Sequence, residues 1–216
     1  MKINKNEILS IIFFMLFATL TILILVVDVQ TNPITGKEVG LYTINKSLML
    51  DGPIKFFDLL SDVILGLCLL VVIIFIIVGI YQMIINKSFK KVDNRIKALI
   101  YVMIGLFIFW IIFDHFIIIN HRPILIDKKV EGSYPSTHVM ICTFVVCFVC
   151  HILIHEVDEK MFNFAGYLSS ILLIGTCCIG RWASNMHWAT DVLGGLLLGL
   201  AAFSIFLKIS EEQKVS

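Results

Sequence analysis

Charge is what this sequence has least of. Asp, Glu, Lys and Arg make up 15% of its 216 residues, against about 25% in ordinary soluble domains. Hydrophobic residues reach 59% and mean hydropathy is +0.97, where soluble domains hold about 45–50% apolar residues. That balance excludes a soluble enzyme, a disordered chain and a secreted disulfide scaffold. Proline is also scarce, limited to Pro33, Pro53, Pro123 and Pro135. A net charge of +1 gives a nucleic-acid partner no electrostatic support. The six cysteines (Cys68, Cys142, Cys147, Cys150, Cys177 and Cys178) all lie inside apolar runs. They read as small buried hydrophobes rather than a disulfide framework. No repeat or low-complexity tract divides the chain, so residues 1–216 read as one domain.

What is present in quantity is long apolar runs. A helix needs about 20 mostly apolar residues to cross the hydrocarbon core. Six stretches qualify: Ile8–Val27, Val63–Ile84, Ala98–Ile119, His138–Ile154, Phe162–Ile179 and Trp188–Leu207. The first is too long for a signal-peptide core of about 7–15 residues and lacks an A-x-A-like site after it, so it reads as a retained anchor. The predicted fold class is therefore all-α, a polytopic membrane protein built as a six-helix bundle. All four prolines fall between these runs, which agrees with a cost of about 3 kcal/mol for proline inside a helix. In the longer link after the first run, Pro53–Asp62 puts Phe56, Phe57 and Leu60 near one another on a helix and Asp58 and Asp62 on another face. That pattern predicts a short helix lying in the membrane interface.

Six crossings place both termini on one side, and Lys and Arg decide which. The Asn86–Lys97 link alone carries Lys87, Lys90, Lys91, Arg95 and Lys97 against one Asp. With Lys2, Lys5, Lys160, Lys208 and Lys214 it outweighs the basic residues of the opposite side, which include Lys128. The expectation is a multi-pass cell-membrane protein with both termini cytoplasmic.

Ionisable residues near membrane spans are functional candidates by default, and here they gather. Asp114, His115, His121 and Arg122 end the third span. Tyr134, Pro135, Ser136, Thr137 and His138 open the fourth. Arg181 ends the fifth, and His187 and Asp191 open the sixth. Every one of these ends faces the same, outer side. Singly, each has an ordinary explanation: His115 pairs with Asp114, the arginines snorkel to headgroups, Ser136 caps a helix, and His187 and Asp191 form an i,i+4 pair or half a metal site. Together they put too many imidazoles and guanidiniums at one depth for anchoring alone.

Their order and spacing resemble the type 2 phosphatidic acid phosphatase family of membrane lipid phosphatases. The family signature is Lys, six residues, Arg-Pro; then Pro-Ser-Gly-His; then Ser-Arg, five residues, His, three residues, Asp. Here His115, six residues and Arg122-Pro123 are followed by Pro135-Ser136-Thr137-His138. Gly180-Arg181, five residues, His187, three residues and Asp191 complete the series. Three positions depart: His115 for Lys, Thr137 for Gly and Gly180 for Ser. The first replaces a permanent charge. The second puts a β-branched residue where backbone would approach an anion closely. The third removes a hydroxyl.

The resemblance implies phosphoryl transfer, which depends on positioning and charge stabilisation. Arg122 and Arg181 would hold phosphate oxygens as planar, permanently charged donors. Ser136 and the amides of Thr137 and His138 would add the amino end of the fourth span. His115, about two helical turns before Arg122, would face the same phosphate. His187 would attack phosphorus as a neutral imidazole, forming a phosphohistidine, with Asp191 fixing its tautomer. His138 would act as general acid and then as base. No metal and no cofactor are implied. The expected substrate is a lipid phosphate or diphosphate of the undecaprenyl diphosphate or phosphatidylglycerophosphate type, reached sideways from the membrane. A phosphotransferase on the same site, a non-catalytic lipid-binding protein and a metal-dependent hydrolase using His115, His138, His187 and Asp191 are the rival readings.

Overall fold

The computed structural model describes residues 5–125, 129–157 and 159–212. Lys2, Lys128 and Lys214, which entered the charge asymmetry, lie outside them. Each apolar run becomes a helix: α1 (Lys5–Val26), α3 (Lys55–Asn86), α4 (Asn94–Ile111), α5 (Thr137–Glu156), α6 (Lys160–Ala183) and α7 (Ala189–Glu212). A short α2 (Tyr42–Leu48) and the two-residue strands β1 (Gln30–Thr31) and β2 (Glu38–Val39) sit in the first link. Six of the helices are long and apolar enough to cross a membrane. All six cysteines are free thiols.

The bundle has a centre and a rim. Half of the apolar window of α5 and of α7 is buried, against 6% for α6. The outward residues of α6, Leu168, Ile171 and Leu172 among them, are exposed and belong to the lipid-facing surface. At the centre, the fully buried rings of Phe148 and Phe206 meet edge-on at 5.2 Å, and Phe75 of α3 meets Phe148 at 4.9 Å. Membrane helices gain little from burying apolar surface against one another, so close backbone approach through small residues brings them together. Gly195 and Gly199, four apart on α7, provide it. A β-carbon there would lie 2.5 Å from the Ser136 carbonyl oxygen and 2.7 Å from that of Met140. On the other flank, a β-carbon at Gly180 of α6 would meet the Phe57 carbonyl and Ser61 of α3, both at 2.9 Å. The first contact seats α7 on α5; the second seats α6 on α3. Both lie at the bundle end where the motif residues are.

Two expectations are corrected. Pro53–Asp62 is not a separate interfacial helix. From Lys55 it is the opening of α3, which runs unbroken for 32 residues, about 48 Å long at 1.5 Å per residue. Neither proline nor glycine interrupts it before Gly66, and Asp58 and Asp62 find cationic partners inside the protein. The short helix of that link is α2 instead. The third span also stops early. After Ile111 the backbone takes one wider turn, Ile112–Phe116, and leaves the helix at Ile117. The chain between His115 and Arg122 is therefore not two helical turns. It leads into a loop whose strands meet at His121 and Gly132.

Candidate active site

The helix ends that carry the motifs are tied together by hydrogen bonds between distant segments. The Ser136 N–H donates to the Asp191 carbonyl at 3.0 Å, and the Ile54 N–H to the Ala183 carbonyl at 3.0 Å. The Trp188 indole donates to the His121 carbonyl at 2.7 Å. Asn45 of α2 donates to Thr190 Oγ1 at 2.9 Å. Between α3, α4 and α5 these ends enclose a cavity of about 560 Å³. Arg122, Thr137, His138 and His187 line its polar side, with Asp114 and Glu131, while Leu65, Phe109, Trp110, Phe113 and Met140 line its apolar side.

His187 sits in the turn before α7, with its side chain 6% exposed. Its Nδ1 lies 2.9 Å from the Ser133 carbonyl oxygen. A carbonyl only accepts, so Nδ1 carries the hydrogen and Nε2 keeps its lone pair. The expected partner, Asp191, has its Oδ2 3.9 Å from Nδ1, beyond hydrogen-bond length. Asp191 is fully buried and instead accepts from Asn120 Nδ2 at 3.1 Å and from the Trp188 N–H at 3.0 Å. Burial, with the nearby Arg181 and Arg122 guanidiniums, holds the His187 imidazole well below its usual range, so the ring is neutral near pH 7.

Both arginines are anchored by one edge. Arg181 Nη1 contacts Asp58 Oδ1 at 2.8 Å and Asp62 Oδ1 at 3.3 Å, and its side chain is 4% exposed. Arg122 Nη2 contacts Glu131 Oε2 at 3.2 Å, and Nη1 lies 3.3 Å from the Met186 sulfur. The Nε atoms of both are buried with no hydrogen-bond partner among the described residues, and so is the Ser136 hydroxyl. Ser136 holds the residue before α5 without capping it through its side chain. His138, in the first turn of α5, places Nε2 2.9 Å from Asp62 Oδ1. Among the described residues no three His, Cys, Asp or Glu side chains are set to share one ion.

His115 is not brought to these groups. It is exposed, its Nδ1 is 3.5 Å from Asp114 Oδ2, and its ring lies beside Trp110 at 5.9 Å. Ending the helix at Phe116 is what separates it from Arg122.

The arrangement is that of an anion site built from two guanidiniums, a hydroxyl and a helix start beside a neutral imidazole with a free nitrogen. The family model of the PAP2 superfamily matches residues 105–214, slightly more than half of the chain, and the match spans all three motifs. The chain belongs to the PAP2 superfamily. Its fold is similar to the crystal structure of a transmembrane PAP2-type phosphatidylglycerolphosphate phosphatase from Bacillus subtilis. That likeness has a TM-score of 0.65 and 18% identity, and covers 94% of this chain and 96% of that one. No curated protein matches the chain in sequence.

Within this PAP2 chain, the structure supplies partners that the sequence motifs omit, among them Ser133, Asn120, Asp58 and Asp62. The Ser133 carbonyl and Asn120 carry no sequence signal of their own: one is backbone, and the other is an ordinary loop residue. Asp58 and Asp62 did carry one, as carboxylates four apart beside a membrane span, but nothing in the pattern says which helix end they meet.

Proposed function

We propose that this membrane protein is a lipid phosphatase that hydrolyses a lipid phosphate or diphosphate through a phosphohistidine at His187, without a metal. One observation carries the reading. Arg122 Nε, Arg181 Nε and the Ser136 hydroxyl are buried donors without partners among the described residues, and both guanidiniums lie near enough to the His187 imidazole to lower its proton affinity. Buried polar groups are ordinarily satisfied, and three unsatisfied donors, two of them on fixed cations, suit a phosphate. The Thr137 and His138 amides, at the positive end of α5, suit it too.

In this mechanism His187 Nε2 attacks phosphorus, Arg122 and Arg181 bind the equatorial oxygens, and His138 protonates the departing lipid oxygen. His138 then takes a proton from water as the phosphohistidine is hydrolysed. Asp191, locked by Asn120 and Trp188, holds a carboxyl oxygen 3.9 Å from the ring that becomes cationic when it is phosphorylated. The apolar side of the cavity, formed by Leu65, Phe109, Trp110, Phe113 and Met140, fits a hydrocarbon chain beside the phosphate. The excess of Lys and Arg on the Asn86–Lys97 side supports cytoplasmic termini and a site on the outer side. Lipids of the phosphatidylglycerophosphate and undecaprenyl diphosphate type are the substrates to try first.

The test is release of inorganic phosphate from a panel of lipid mono- and diphosphates by the purified protein in detergent, with and without EDTA. Release that survives EDTA, together with an acid-labile, base-stable phosphoenzyme mapping to His187, is the expected result. A label on Ser136, or activity abolished by EDTA and restored by Mg²⁺, would overturn the mechanism.

A further inference from the structure

Asp62 belongs to none of the three motifs, yet it touches two of their residues. Its Oδ1 lies 2.9 Å from His138 Nε2 and 3.3 Å from Arg181 Nη1. Arg181 is in turn held by Asp58 at 2.8 Å, one helical turn before Asp62 on α3. The carboxylate is thus fixed from two sides, by a buried guanidinium and by the ring it faces. An ionised carboxylate only accepts hydrogen bonds, so Nε2 is the protonated nitrogen of His138. The remaining nitrogen, Nδ1, has no hydrogen-bond partner among the described residues, and His138 lines the cavity.

We infer that Asp62 is a positioning residue of the reaction: it holds the His138 ring through Nε2, so that Nδ1 is the atom that exchanges the proton with the leaving group and with water. This rests on the phosphatase reading above and extends it to a residue outside the motifs. In the first half-reaction the His187 Nε2–phosphorus bond forms and the phosphorus–ester oxygen bond breaks. The proton on His138 Nδ1 passes to that oxygen, leaving His138 neutral with its remaining hydrogen on Nε2, facing Asp62. In the second half, water oxygen bonds to phosphorus and the His187 Nε2–phosphorus bond breaks. The water proton goes to Nδ1, which restores the imidazolium and releases inorganic phosphate. Without Asp62 the ring is free to turn Nδ1 away from the leaving oxygen in the first half-reaction, and in the second the neutral ring can carry its hydrogen on either nitrogen, the wrong tautomer offering a proton where a lone pair is needed.

The experiment compares two monoesters by kcat/KM, which reports phosphoryl transfer to the enzyme, using the full-length protein in detergent. A short-chain phosphatidate has a poor leaving group that needs a proton; p-nitrophenyl phosphate has one that leaves without it. Asp62→Asn is expected to lower kcat/KM for the phosphatidate about 10- to 100-fold, the scale for losing the outer partner that orients a metal-bound histidine. Turnover of the aryl ester should fall by less than about threefold, since its departure needs no general acid. Asp62→Glu should recover most of the loss. On a His138→Ala background, Asp62→Asn should cost less than about a further twofold, because the two residues act as one unit. An equal loss with both esters would mean that Asp62 acts through Arg181 and phosphate binding, and would overturn the proposal. So would a full loss added on top of His138→Ala. Wild-type protein that leaves every phosphate ester of the panel intact overturns the phosphatase reading and this proposal with it. Wild-type turnover with a uniform or additive Asp62→Asn loss overturns this proposal alone.

Discussion

His187 is held through Nδ1 by the Ser133 backbone carbonyl, almost without solvent, whereas His138 is held through Nε2 by Asp62, a carboxylate that is 54% exposed on a separate helix. The two rings border the same cavity. A carbonyl accepts a hydrogen bond without bringing a charge, so it orients His187 while leaving it neutral, as the proposed nucleophile must be. A carboxylate can sit beside either protonation state of its ring, which suits a group that gives up a proton and takes one back. The difference also reaches into the fold. The His187 wall is built by the α6–α7 turn and the loop before α5; the His138 wall depends on α3 lying against α6 at Gly180.

The largest break in this comparison is His187→Ala. It should remove the trapped phosphoenzyme and lower turnover by at least about 10⁴-fold, the scale on which nucleophile loss is felt in subtilisin. Rapid-quench labelling measures it, and residual labelling would show that the nucleophile lies elsewhere. His138→Ala should still form a phosphoenzyme from an activated aryl ester, while steady-state turnover drops by about 10²–10⁴-fold. Loss of labelling with the aryl ester would erase the assigned division of labour.

Asp191→Asn sharpens the comparison. The Ser133 carbonyl, not Asp191, is within hydrogen-bond length of His187, so the ring keeps its orientation. The loss should be about 10- to 100-fold, clearly smaller than for His187→Ala, in single-turnover phosphoenzyme formation. The pH dependence follows from the same burial. His187 has its proton affinity depressed, so its attacking form is present above that depressed value and is lost only as pH falls through it. The acid limb of phosphoenzyme formation should therefore lie below the usual imidazole value of about 6.5. A limb at or above that value would place His187 in a wetter site than the one seen. The smallest effect is expected for His115→Ala. An exposed pair such as His115–Asp114 is worth about 0–1 kcal/mol, and turnover should stay within about a few-fold of wild type. A large loss would mean that the chain after Phe116 rearranges to bring His115 to the phosphate.

The candidate site was legible because residue types able to handle phosphate also punctuate the spans: Arg122, Ser136, His138, Arg181, His187 and Asp191 stand at apolar boundaries. His115 is the exception: its spacing from Arg122 reads as helix, and nothing in Phe113–Asn120 announces that the helix ends at Phe116. Asp58 and Asp62 misled for the opposite reason. Two carboxylates beside aromatic residues look like the wet face of an interfacial helix until their cationic partners are known.

By itself the sequence determined the six crossings, the helical class and the gathering of motif residues at one end. Those follow from the cost of apolar side chains in water and of charge in lipid, which act residue by residue along the chain. Tertiary structure alone decided which nitrogen of each histidine is free, which carboxylates hold Arg181, and that Ser133 rather than Asp191 bonds His187. Those choices depend on angstrom-scale distances between helices, set where Gly180, Gly195 and Gly199 let backbones touch. No local pattern records which neighbour a glycine admits.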